Sequence, residues 1–238
     1  MRILAIDSAT PVAGVALVDE NKVLCEEWVN YKKTHSQTLM PMVDQVLSRC
    51  DCTVSDLQAI AVTIGPGSFT GLRIGLAAAK GLALATSKPL ITISTLEVLA
   101  HNVCYSSCLV GALLDARKQE VYAAFYDVQS AYPQILSEET ACSPAAVTAM
   151  AHDLMSQHNR DKLILLGDGA EPYEQYFMQE FGDDLLPLPM QYKLPRAACL
   201  GSLAVQKYKR QEFEDVFSLR PVYLRLSEAQ TRLGIGEI

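Results

Sequence analysis

"RILAIDSATPVAGVALVD", residues 2–19, runs as an apolar, β-compatible segment to Asp7, makes a short polar turn and continues as a second segment to Asp19. Further on, "LVGALLDARKQEVYAAFYD", residues 109–127, repeats the pattern, with an apolar segment to Asp115, a polar turn and a second segment to Asp127. The two aspartates are twelve residues apart in both copies. Two β-compatible runs around a turn read as a hairpin, and the return of that hairpin later in the chain points to an internal duplication.

The flanking segments come in the same order. After the first hairpin, "KVLCEEWVN" reads as a third strand. A helix is next, with an apolar stripe of Leu39, Met40, Val43, Val46, Leu47 and Cys50 and with Ser36 as its cap. Pro41 is tolerated only in about the first turn, so this helix is expected to begin near Ser36 or Gln37. "LQAIAVTIG" is a buried strand, "GPGS" a Gly-rich loop, Gly71–Thr86 a helix and "PLITI" a strand, and Ser94 caps a helix to about Asn102. After the second hairpin, "QILSEETA" is a third strand, and Ser143-Pro144 open a helix to about Gln157. "KLILLGDGA" then repeats a strand into a Gly-x-Gly loop, which makes Gly167 and Gly169 the counterparts of Gly65 and Gly67. Pro187, Pro189 and Pro195 interrupt the segment beyond it. A last helix is expected over Arg196–Arg210, then an extended "RPVYLR" and a polar tail. The expectation is an α/β protein with two copies of a β-β-β-α-β-α unit in two lobes, residues 1–104 and 105–238.

Composition narrows the function. At 238 residues and 50% apolar, the chain has material for a real core. Its net charge of −7, with the tightest basic clusters at Lys32-Lys33 and at Lys207, Lys209 and Arg210, disfavours an independent grip on a nucleic-acid backbone. The seven cysteines form neither a zinc pattern nor a secreted framework and read as reduced structural thiols. No basic n-region precedes an apolar run, so a soluble, cytoplasmic protein with no membrane partner is expected.

A duplicated β-β-β-α-β-α unit is the architecture of actin, sugar kinases and heat-shock ATPases. In that class the hairpins face a nucleotide across a cleft, and an Asp at the strand end handles the metal. Asp7-Ser8-Ala9-Thr10 and Asp115-Ala116-Arg117 occupy those places. Against a working ATPase, the turn Arg117-Lys118-Gln119-Glu120 has no glycine to let backbone N–H groups approach a phosphate.

"ILAIDSAT", His35-Ser36, "GPGSFTGLRIG", "STLEVLA" and "RPVYLR", in that order, resemble the TsaB family, also called YeaZ. The resemblance implies an actin-like fold without catalytic residues of its own. It implies TsaD and TsaE as partners in threonylcarbamoylation of adenosine at position thirty-seven of ANN-decoding tRNAs, with tRNA reached only through the complex. TsaD carries a His-Met-Glu-Gly-His metal motif; the matching stretch here is Thr95-Leu96-Glu97-Val98-Leu99, which lacks both histidines, so no metal is expected. No cofactor is expected either: the cleft of Asp7, Ser8, Thr10, Gly65 and Gly67 reads as vestigial, with ATP or ADP held weakly or only within the complex.

"GPGSFTGLRIG" lacks the Lys of a phosphate loop, and Pro66 removes a donor. Gly71, Gly75, Ala79 and Ala83 recur every four residues and line one helix face. Such a stripe serves either packing inside the protomer or a partner helix. The resemblance implies the second, with a docking patch of Leu39, Met42, Val43, Val46, Gly71, Leu72, Ile74, Gly75, Ala78, Ala79 and Leu82 that takes TsaD, or a second copy of the chain in its absence. Two alternatives stand beside this reading: a nucleotide-dependent phosphotransferase using Asp7 and Asp115, and a glycoprotease-like hydrolase, for which no nucleophile with a base is evident. His101, His152 and His158 read as solvated, Trp28, Tyr122, Phe125 and Tyr126 as strand packing, and Glu138-Glu139 as a solvated face.

Overall fold

A computed structural model describes residues 1–31 and 34–225. The Lys32-Lys33 cluster and the polar tail from Leu226 lie outside the described residues. The first half opens with β1 (Arg2–Asp7), β2 (Ala13–Asp19) and β3 (Val23–Val29), followed by α1 (His35–Arg49), β4 (Ala59–Gly65), α2 (Phe69–Thr86), β5 (Leu90–Ser94) and α3 (Thr95–Ala100). The second half has β6 (Leu109–Asp115), β7 (Val121–Asp127), β8 (Gln134–Ile135), β9 (Thr140–Cys142), α4 (Pro144–Gln157), β10 (Leu163–Leu166), α5 (Glu174–Phe181) and α6 (Ala197–Lys209). All four hairpin strands end on the repeated aspartates. Asp19 shows why: its Oδ1 accepts from the N–H groups of Asn21 and Lys22 at 2.8 and 2.9 Å, which turns the chain.

The first sheet has the order β3-β2-β1-β4-β5, with β1 antiparallel to β2 and parallel to β4. Its two faces arise from strand alternation. Leu4, Ile6, Val15 and Leu17 point to the side that α1 and α2 cover, while Ile3, Ala5, Ala16 and Val18 point to the side that α6 covers. The second sheet has the order β10-β6-β7, with β8 and β9 both paired to β7. Its Leu109, Leu113, Ala123 and Phe125 pack on Val147 and Ala151 of α4 and Phe177 and Phe181 of α5. Helix α3 serves both halves, with Val98 in the first sheet's core and Leu96, Leu99 and Ala100 in the second's.

Ser68, Ser94 and Ser143 cap α2, α3 and α4, each accepting a backbone N–H of the first turn at 3.2–3.3 Å. Four expectations are corrected. Helix α1 begins at His35 behind Thr34, which places Pro41 in the second turn, where it faces solvent and its missing N–H leaves no buried gap. Helix α2 begins at Phe69, two residues before Gly71, because Ser68 is its cap. The third strand of the second half is broken into β8 and β9, because Ser137 Oγ accepts from Phe125 N–H at 2.9 Å in place of a ladder partner and Glu139 turns inward to Ser94. Residues 197–222 also return to the first sheet: α6 covers it, Glu214 bridges Leu90, and Val222 N–H donates to Ile64 O at 2.9 Å. The described part of the stretch 105–238 therefore supplies the second sheet but also part of the first lobe.

Candidate functional site

A cavity of about 510 Å³ lies between the β1–β2 hairpin and the N-terminus of α2 on one side and the β6–β7 hairpin on the other. Thr10, Gly67, Ser68, Asp115, Lys118 and Asp168 are among its lining residues, and Tyr223 and Arg225 reach into it from the chain's end. The end segment works as a clasp. Tyr223 stacks on Phe69 with centroids 4.9 Å apart and accepts from Arg73 Nε at 3.1 Å, while Arg225 donates to Ala116 O at 3.0 Å and pairs with Glu120 at 2.6 Å. The hairpin that receives Arg225 holds Arg117, Lys118 and Gln119 at φ of 63°, 53° and 63°, a left-handed run of three side-chain-bearing residues.

The expected nucleotide residues assemble only in part around this cavity. Asp7 and Ser8 are each 1% exposed and point into the protein. Asp7 Oδ1 accepts from Thr63 Oγ1 at 2.7 Å and from Ala9 N–H at 3.0 Å, and Oδ2 finds no partner among the described residues. Gly65, at φ 122°, is covered by Val222: a Cβ there would lie 2.6 Å from Val222 O. Gly67 abuts Ala9 O, and Gly167 abuts Leu113 O in the same way. Both Gly-x-Gly loops therefore let two backbones approach. Only Thr10 and Gly67 of the five face the cavity, while Asp115 of the second hairpin and Asp168 do line it; the buried Asp7 does not reach it, so the β1 end does not fit its half of an actin-type nucleotide–metal site. His35 also lines the cavity, its Nε2 donating to Thr10 O at 2.8 Å, while Ser36 is exposed.

Burial raises the Asp7 pKa above its ordinary 3.8, against the lowering effect of its two hydrogen bonds. The folded state thus holds this proton more tightly than the unfolded state, and the contribution of Asp7 to stability falls as pH rises through that window. Asp7→Asn is expected to gain stability relative to the parent as pH rises, by about 1.4 kcal/mol for each unit by which the folded value exceeds the unfolded one. Urea denaturation across the acid-to-neutral range measures it, and a pH-independent difference would contradict the assignment.

The docking patch needs correction. Leu39, Met42, Val43, Val46, Leu72 and Ala79 are each 3% exposed or less, and all but Leu72 lie in the core between the two helices and the first sheet. Gly71 and Gly75 are also buried, their missing Cβ atoms leaving room for Ser8, whose Oγ donates to Gly71 O at 2.9 Å. The small-residue stripe therefore seats α2 on the end of β1. Ile74, Ala78 and Leu82 are the three patch residues left part-exposed, and beside them the outer side of α2 shows Ala77, Gly81, Leu84 and Ala85 to solvent. Sequence periodicity missed this second stripe because α2 is apolar nearly all round. The one usable signal was Gly81, a third mid-helix glycine off the first stripe.

The other residues separate clearly. Thr95 and Leu99 are both completely buried, Leu99 in an apolar cluster, so this pair does not fit the metal that the TsaD histidines would hold. His101 is not solvated: it stacks on Tyr132, and burial pulls its pKa down to about 4. His152 and His158 are exposed as expected. Glu139 is turned inward while Glu138 stays exposed. Phe125 and Tyr126 are sheet packing, and Trp28 donates from its ring to Pro195 O at 3.2 Å. The seven thiols are unpaired, and burial pushes Cys104 up to about 11 and Cys199 up to about 12, which makes them poor nucleophiles. Among the described residues, no helix is long and apolar enough to cross a membrane.

Two faced sheets with this strand order, joined by a clasped cleft, define an actin-like fold of the sugar-kinase type. A hexokinase of the ROK group from Thermus thermophilus shares that fold, with a TM-score of 0.50 over 87% of this chain and all of its own, at 12% identity. More specifically, the chain belongs to the TsaB (YeaZ) family. The proteins named tRNA threonylcarbamoyladenosine biosynthesis protein TsaB from Bacillus subtilis and Escherichia coli are 34% and 33% identical to it, each over 98% of this chain and 97% and 98% of their own. YeaZ from Pseudomonas aeruginosa superposes with a TM-score of 0.74 at 29% identity, over 94% of this chain and 99% of its own. The wider family model described as TsaD, tRNA N6-adenosine threonylcarbamoyltransferase, matches residues 23–233.

Proposed function

We propose that this chain is a non-catalytic subunit in the synthesis of threonylcarbamoyladenosine at position thirty-seven of ANN-decoding tRNAs, working in the cytoplasm by docking TsaD, with TsaE joining the assembly. It would contact tRNA only through that complex and take no cofactor for chemistry of its own. The family supports the pathway, and one observation carries the docking mode. Gly81 lies inside α2, exposed, with nothing among the described residues within 4 Å of where a Cβ would sit. Glycine in a helix interior costs about 1 kcal/mol against alanine, and among the described residues no contact offsets that cost. A partner backbone approaching closely over Ile74, Ala78, Gly81 and Ala85 does. The same face would pair two copies of the chain when TsaD is absent.

Gly81→Trp is expected to melt like the parent, because its side chain enters open space, and to lose capture of TsaD in a pull-down. The tRNA modification assay, with each component omitted in turn, completes the test. Loss of modification without this chain, with no ATP turnover by the chain alone, supports the reading. Capture of TsaD undiminished by Gly81→Trp would remove the docking face, and ATP turnover by the isolated chain would remove the non-catalytic role.

A further inference from the structure

The two sheets differ at one edge. In the first, β5 runs parallel along β4 from Ile60 to Gly65. In the second, β10 stands in the place of β4, parallel to β6, and no full strand among the described residues lies beyond it. Leu185 makes a single parallel bridge to Leu163, and Leu186 N–H donates to Leu163 O at 2.8 Å. Pro187 and Pro189 then carry the chain away, since proline cannot donate to a ladder. Successive strand residues direct their backbone groups to opposite neighbours, so Leu165 faces outward as Leu163 does. Among the described residues no strand takes up Leu165 on that side.

A groove of about 500 Å³ lies against this edge. Leu165 lines it together with Phe177 and Met178 of α5 and with Leu186 and Met190. Met178 and Met190 are 55% and 85% exposed, flexible apolar side chains that adapt to what they meet. Among the described residues, Asp168, Glu171 and Glu174 also line the groove, against one cation, Lys193, which stands 3.8 Å from Glu174. The lining is therefore apolar with an anionic excess.

We propose that this groove binds an extended, cationic segment of a partner protein, which continues the ladder beside Leu165 as the strand that the second half lacks. Backbone hydrogen bonds to the open edge would supply affinity, and alternate apolar side chains would enter between Phe177 and Leu186. A Lys or Arg of the segment would face Asp168 and Glu171, which sets the charge preference. None of the described residues lining the groove belongs to α1 or α2, so the site stands or falls independently of the TsaD docking face.

The test is a random peptide library displayed on phage and panned against the full chain, with counter-selection on the chain carrying Met178→Arg and Glu171→Lys. Both positions are exposed, and thermal melts verify that the variant folds. The expected enriched sequences alternate apolar residues and carry Lys or Arg. Fluorescence anisotropy with a labelled enriched peptide is expected to show affinity falling by about tenfold or more, both in Glu171→Lys and when alternate peptide amides are N-methylated. No enrichment on the parent over the variant, or binding indifferent to N-methylation, overturns the proposal.

Discussion

Gly71→Ala lowers the stability of this protein by about 2–3 kcal/mol, whereas Gly81→Ala in the same helix raises it by about 0.5–1 kcal/mol. The two substitutions add the same methyl group, and the difference lies in what that group meets. At Gly71 the new Cβ would fall 2.1 Å from Ser8 O. That atom is backbone at the end of a central strand, held by the Ser8 Oγ–Gly71 O hydrogen bond, so relief requires α2 to lift from the sheet. The lifting would open contacts in the core that Leu76, Ala79 and Ala83 share with Leu4, Ile6 and Val62. At Gly81 the methyl group meets nothing within 4 Å among the described residues, and alanine simply lowers the chain entropy lost on helix formation. Urea denaturation of the two variants beside the parent measures both. Equal losses at the two positions would show that the outer face of α2 is packed within the protomer, which would also remove the argument for docking there.

The second large effect is a loss of stability in acid, traced to His101. Its imidazole stacks on Tyr132, with centroids 5.8 Å apart, and lies 3.1 Å through Nδ1 from Cys104 Sγ. Burial lowers its pKa from 6.5 to about 4. The folded state therefore favours the neutral ring. Stability from this group is complete above the unfolded value of 6.5 and is lost as pH falls from there to about 4. At about 1.4 kcal/mol per unit the loss is at most about 3–4 kcal/mol, an upper figure for a group that is not wholly enclosed. Asp7, Glu97, Glu139 and Asp168 act in the opposite sense, since burial raises all four and protonation relieves them. Comparison with His101→Phe isolates the histidine, because the variant keeps a ring for Tyr132 and cannot take up charge. The parent is expected to lose more stability than the variant between about pH 7 and about pH 4.5. Parallel curves for the two proteins would contradict it.

Much of the fold was legible in the residues. The hairpin strands end on Asp7, Asp19, Asp115 and Asp127, because an aspartate that accepts its own following N–H groups needs no tertiary partner. Ser94 and Ser143 announced α3 and α4 for the same reason, since a cap is a contact within one turn. The broken third strand of the second half was not legible. "QILSEETA" reads as one strand, and only Ser94, reached through the fold, draws Glu139 out of the ladder. Nor was the return of the chain's end to the first sheet, which rests on α6 meeting Ile3, Ala16 and Val18.

The candidate site divides along the same line. By itself the sequence determined the duplication, the missing metal histidines at Thr95 and Leu99, and the presence of a helix whose glycines demand a close neighbour. All of these are properties of residue type and spacing along one segment. Only the tertiary structure decided that the neighbour of Gly71 and Gly75 is Ser8 of the same chain, that Asp7 points inward, and that Val222 covers Gly65. The physical reason is that a missing side chain records how near another atom comes and nothing about which atom it is. On a helix apolar on almost every side, that choice belongs to the sheet packed against it.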